Sequence, residues 1–223
     1  METDLLQKVG RKEITKAQLL QKVEADFGLL PQVLDGTSSS KATVRYTCGN
    51  VLMDLSEKHP KKLYPYIERF IGLLDSEYRI LTWNAMAIIA NITAVDVDLK
   101  FDAIFDKYYS NLGNEYMVTV ANVVGNSAKI AENKPYLADR IIEELLKVQN
   151  LKVTPHLTEE CKLVIAEQAI RTFNTIINYT ENKKPLFAFA QKFADSPRIS
   201  LRKEAQCFLK KGSKQWARGD LNT

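Results

Sequence analysis

The chain has 223 residues and a mass of 25.3 kDa; 45% of it is apolar and 26% charged, and only nine Gly and seven Pro interrupt it. That mixture excludes a disordered tail, a collagen-like chain and a disulfide scaffold, and the length is ample for a full hydrophobic core. The net charge of +4 is unevenly placed: residues 183–223 hold ten Lys or Arg against Asp195, Glu204 and Asp220, a balance of +7 that leaves −3 for residues 1–182.

In chain order, METDLLQKVGRKEITK alternates charges with short apolar pairs and lacks the apolar centre of a secretion signal. Residues 13–34 read as a helix or helix pair bent near Gly28 and Pro31, closed by the loop DGTSSSK (35–41). A helix is then expected over 41–57. Next, KKLYPYIERFIGLLD places Leu63, Ile67, Phe70 (or Ile71) and Leu74 on one face, the 3.6-residue rhythm of an amphipathic helix. A nearly charge-free helix over 78–94 follows. Phe101, Ile104, Phe105, Tyr108 and Leu112 repeat the leading rhythm, and a second charge-free helix covers 115–131. Within it MVTVANVV has strand propensity, but its counterpart RILTWNAM reads as helix, so helix is expected in both. Leu137, Ile141, Leu145 and Val148 form another leading helix. The polar stretch QNLKVTPHLTEE (149–160), broken by Pro155, is an insertion and the expected preferred site of proteolysis. A helix over 159–179, a leading stripe at Leu186, Phe189 (or Ala190) and Phe193, and a last helix over 200–211 with Leu201, Ala205 and Phe208 inward complete the chain.

These elements repeat. VLMDLSEKHP, IIANITAVDVD, SAKIAENKP and IINYTENKKP share one punctuation, and aligning Asp54, Asn91, Lys129 and Asn178 gives steps of 37, 38 and 49 residues, the last lengthened by the insertion. Pro60, Pro135 and Pro185 stand where one helix must stop and the next begin. Small or compact residues at matched places in the second helices (Cys48, Ala85, Val123 and Thr172) suit close helix packing. Two-helix units of this length resemble the HEAT and armadillo class of helical repeats over roughly residues 24–212. The resemblance implies an all-α fold: an α-α superhelix, or solenoid, of about five units. One helical-repeat domain over 1–223 is expected, with an N-terminal cap at 1–23, repeats near 24–60, 61–98, 99–135, 136–184 and 185–212, and a tail at 213–223.

ANIT and INYTENK resemble the end of an armadillo third helix, where Asn faces the concave groove and binds the main chain of an extended peptide. The carry-over reaches Asn91 and Asn178; Asp54 and Lys129 stand at the other matched positions, Asn126 one turn before the latter. The groove Trp that often precedes the Asn by one turn is replaced by Ala87, with Trp83 two turns before Asn91. The candidate peptide- or protein-binding residues are therefore Asp54, Trp83, Asn84, Asn91, Asn126, Lys129 and Asn178.

Catalytic and metal constellations are missing from the sequence. His59 and His156 are the only histidines, neither with a second ligand at metal spacing, and no phosphate-binding Gly motif occurs. Cys48, Cys161 and Cys207 are far apart and odd in number, with Cys48 and Cys207 read as small residues of apolar helical faces. NIT at Asn91 and NYT at Asn178 fit the glycosylation pattern only by chance in a chain expected to be intracellular. No cofactor or metal site is expected, nor a membrane span, since the uncharged run 80–95 is short and carries Asn84 and Asn91. The leading expectation is a soluble, cytoplasmic, non-catalytic scaffold for a peptide or protein partner. The alternative is a nucleic-acid-binding chain. PRISLRKEAQ is similar to HEAT-like DNA glycosylases of alkylation repair, and the basic last helix offers Arg198, Arg202, Lys203, Lys210, Lys211 and Lys214 as candidates to meet phosphate. The same cations also read simply as the solvated face and basic end of a last helix.

Overall fold

The computed structural model describes residues 4–217, with side chains up to residue 212. Among them every extended element is helical, and the only β pairing is one isolated bridge between Thr154 and Leu157. The described residues fall into two compact units, one ending at Phe105 and one starting at Asp106.

The first unit opens with α1 (Asp4–Gly10), α2 (Lys16–Ala25) and α3 (Leu30–Gly36). Thr15 and Gln18 close a reciprocal cap on α2, each side chain satisfying a backbone N–H of the other. The bend at Gly28 is made by Asp26, whose carboxylate accepts from the Gly28 N–H at 2.8 Å and starts a 3-10 turn. α4 (Ala42–Lys58) then packs along α7 (Arg79–Ile92), joined by α5 (Pro60–Leu63), a 3-10 turn at Tyr64–Tyr66 and α6 (Ile67–Leu73). The single leading helix expected there is broken because Pro65 has no N–H to donate and its ring crowds the preceding turn. Its stripe survives: Leu63, Ile67, Phe70 and Leu74 are all buried. The two long helices approach closely at Gly49, where an added Cβ would lie 2.8 Å from Leu81 Cδ2. The unit ends with α8 (Lys100–Ala103). The loop before it is held by Asp96, whose carboxylate accepts from the N–H groups of Lys100 and Phe101 and from the Tyr64 hydroxyl.

In the second unit α10 (Met117–Asn133), α12 (Glu159–Ile176) and α14 (Ile199–Ala217) stack side by side in chain order. The shorter α9 (Phe105–Ser110), α11 (Ala138–Leu146) and α13 (Lys184–Gln191) are the leading helices of the repeats. MVTVANVV is helical: Val120, Val123 and Val124 share one face and are fully buried, so packing overrides strand propensity. Thr172 Oγ1 donates to the Val124 carbonyl at 3.0 Å, fastening α12 to α10. The insertion is tighter than its composition suggests. Leu157 is buried, Thr154 Oγ1 donates to the Glu115 carbonyl at 2.7 Å, and the Met117 N–H donates to the His156 carbonyl at 3.2 Å. The His156 ring also stacks on Tyr116, with centroids 4.3 Å apart.

No described helix is long and apolar enough to cross a membrane. Cys48 is buried as expected, whereas Cys207 is exposed: it lies one residue before the inward Phe208 and two after the inward Ala205, off their stripe. The tail from 218 onward lies outside the described residues.

Candidate functional site

Asp54, Asn91 and Lys129 are each the thirteenth residue of their helix, in α4, α7 and α10, so the aligned positions hold one register. Their side chains do different work. Asp54 pairs with Lys16 at 2.7 Å. Asn91 Nδ2 donates at 2.8 Å to Ser56 Oγ, which is fully buried and itself donates to the Met53 carbonyl, so this amide ties α7 to α4. Lys129 is half-buried, and Asn178 is exposed in a 3-10 turn after α12. Asn126 Nδ2 is turned back onto the Asn122 carbonyl of its own helix.

Nearer the middle of α4 and α7 the arrangement is different. Asn84 Nδ2 donates to Asn50 Oδ1 at 3.0 Å, a bond between the two helices. Neither amide has another partner among the described residues, and neither leftover group is sealed from solvent. Asn50 therefore keeps its NH2 donors and Asn84 its carbonyl acceptor. Trp83, half-buried, stands beside them on α7. One donor and one acceptor next to an indole is what a polypeptide main chain can use.

Part of the basic end is engaged within the fold, Arg198 by carboxylates and Arg202 and Lys211 by neutral oxygens. Glu167 of α12 is 7% exposed and takes hydrogen bonds from Arg198 Nε at 3.1 Å and Ser200 Oγ at 2.6 Å, with Arg171 Nη2 at 2.5 Å. Burial pushes its carboxyl up, but the Ser200 and Arg198 donors and the charges of Arg171 and Arg198 outweigh that and hold it below the usual range. Arg198 also pairs with Glu160, and Arg171 with Glu204 at 3.5 Å. Arg202 donates to the Ser196 carbonyl and Lys211 to Asn174 Oδ1. Lys203 and Lys210 are exposed, and the Lys214 side chain lies outside the described residues. No group of three or more His, Cys, Asp or Glu is placed to hold a metal among the described residues.

Residue types alone did not reveal Asn50, Ser56 or Glu167. The available signal was spacing: Asn50–Asn84 and Ser56–Asn91 are 34 and 35 residues apart, one repeat less about one helical turn.

No protein-family profile matches the chain, and no curated protein is detectably similar to it in sequence. Solved structures do match. A designed armadillo repeat protein, YIII(Dq)4CqI, superposes with a TM-score of 0.56 at 17% identity over 92% of this chain and 89% of its own. Another, YIII(Dq.V1)4CPAF, was solved in complex with the peptide (KR)4; it gives 0.59 at 16% over 92% and 90%. The fold is that of armadillo and HEAT-like repeats. A further engineered protein matches at 0.54, 16% identical, over 92% and 86%.

Proposed function

We propose that this armadillo-like chain is a non-catalytic interaction scaffold that takes an extended peptide across α4 and α7. The observation that carries the reading is the Asn50–Asn84 pair, which offers a main chain one donor and one acceptor beside Trp83. A structural neighbour solved with a peptide supports the class of partner. In this reading Asp54 and Asn91 border the peptide.

The test is display selection of random 12-residue peptides against the wild-type protein, with Asn50→Ala/Asn84→Ala as the counter-target. Removing both amides leaves no orphaned partner, so the melting temperature should stay within a few degrees. Enriched peptides should bind the double variant about 1–3 kcal/mol more weakly. Selection that enriches nothing over the double variant removes the reading.

A further inference from the structure

We propose that single-stranded nucleic acid binds one edge of the second unit, its bases stacked on Tyr136 and Tyr179 and its phosphates met by Lys183 and Lys184. The packed helices α10 and α12 each lead into a 3-10 turn, Pro135–Leu137 after Lys134 and Ile177–Tyr179 directly after Ile176. Each turn carries a tyrosine. Tyr136 is 62% exposed and Tyr179 39%, and no other Phe, Tyr or Trp is as open among the residues whose side chains are described. The two turns are tied together: the Thr180 hydroxyl, next to Tyr179, donates to the carboxylate of Asp139, three residues after Tyr136. That bond brings both rings to the same edge.

A ring left in water forgoes the burial that makes aromatic residues useful to a core, and the chain's packing tyrosines, Tyr108 and Tyr109, are fully buried. Tyr136 is also held in place. Its hydroxyl accepts from Lys134 Nζ at 3.0 Å, and that lysine is itself buried, so the ring projects from a fixed anchor. A ring already held loses little freedom when a base stacks on it. The cations stand beside the rings. Lys184 is exposed and Lys183 half-buried, and neither pairs with a carboxylate among the described residues. Lys183 and Lys184 against Glu181, with Lys129 and Lys134 against Glu132, leave the two segments 129–136 and 179–184 at +2. Stacking faces flanked by free cations are the combination that binds single strands without reading sequence. A proline-rich peptide would use the rings but not the lysines, and a duplex keeps its bases stacked away from the rings. The site lies in the second unit and does not rest on the peptide reading, whose Asn50–Asn84 pair lies in the first.

The experiment follows fluorescence anisotropy of labelled 12-nucleotide oligo(U) and oligo(dT) with the full chain, from low to physiological salt, beside an abasic strand of equal length and a 12-residue polyproline peptide. The oligonucleotides should bind saturably at low salt, with a log–log salt slope of about −1.4 for two phosphates. The abasic strand should bind at least tenfold more weakly. Tyr136→Ala and Tyr179→Ala should each weaken binding about tenfold, whereas Tyr179→Phe, which keeps the stacking face, should not. If Tyr136→Ala is destabilised by the loss of the Lys134 partner, Tyr179→Ala carries the test, since its hydroxyl has no partner to orphan among the described residues. Lys183→Gln/Lys184→Gln should flatten the salt slope towards zero. Lys203→Gln, on α14, and Asn50→Ala/Asn84→Ala should change nothing. No saturable binding at low salt, equal binding of the abasic strand, unchanged affinity in Tyr179→Ala, or tighter binding of the polyproline peptide overturns the site.

Discussion

Glu167 shows how much a single residue is decided by its neighbours. Its carboxyl is held below the ordinary value of 4.5 in the folded chain, so it contributes stability above that pH, and the contribution is lost as pH falls through the lowered value. Glu167→Gln should therefore be destabilised at neutral pH by about 1–3 kcal/mol, since Arg198 and Arg171 lose a shared partner. The gap from wild type should close as pH drops below about 4.5. Thermal melts of both proteins between neutral and acid pH measure this; a gap that stays constant down to acid would contradict it. Asn91 makes the same point in a different way. Its position in the repeat was readable, but its use as a tie to Ser56 depends on a residue 35 positions away. Asn91→Ala leaves Ser56 buried with one partner fewer, and should cost about 1 kcal/mol in a denaturant titration whether or not peptide is present.

At the scale of elements, α4 and α7 owe their closeness to Gly49. Alanine would gain about 1 kcal/mol of helix propensity there, but its methyl would meet Leu81 Cδ2 at 2.8 Å, and overpacking costs about 1–3 kcal/mol. Gly49→Ala should thus lower the melting temperature, although the same change at an open helical glycine would raise it. The insertion before α12 carries a second element-level prediction. Its Pro and polar residues mark it for cleavage, yet the Thr154–Glu115 bond and the Tyr116–His156 stack pin it down. Limited proteolysis should cut it slowly in the wild type and markedly faster in Thr154→Ala/His156→Ala. Equal rates would show that these ties do not hold the loop.

For the whole molecule, charge is the property that sequence most easily overstates. Summed over 183–223 it is +7, but Arg198, Arg202 and Lys211 are each engaged by protein oxygens. Binding of mixed-sequence duplex DNA should be weak and vanish near physiological salt, with a log–log slope no steeper than about −3 if only a few lysines meet phosphate. A steep slope with tight binding at physiological salt would bring the nucleic-acid reading forward. Both units also use the same repeat-spaced surface pairing: Arg69 with Asp35 at 3.0 Å in the first, Arg140 with Asp106 at 2.7 Å in the second. Such exposed pairs contribute only about 0–1 kcal/mol each, so they record the repeat more than they hold it.

The sequence by itself determined the class and the rhythm. Apolar residues recurring at the helical period, proline at the joints and a step near 38 residues specify paired helices, because burial on one face is a local, periodic demand. It also placed Asp54, Asn91 and Lys129 in one register. Only the tertiary structure decided which polar groups are spent and which remain available. Asn91 is used by Ser56, Arg198 by Glu160 and Glu167, while Asn50 and Asn84 keep unused hydrogen-bonding capacity. The physical reason is distance along the chain. A hydrophobic stripe is set by residues three and four apart, whereas these hydrogen bonds mostly join partners a repeat apart, whose meeting depends on how the helices pack.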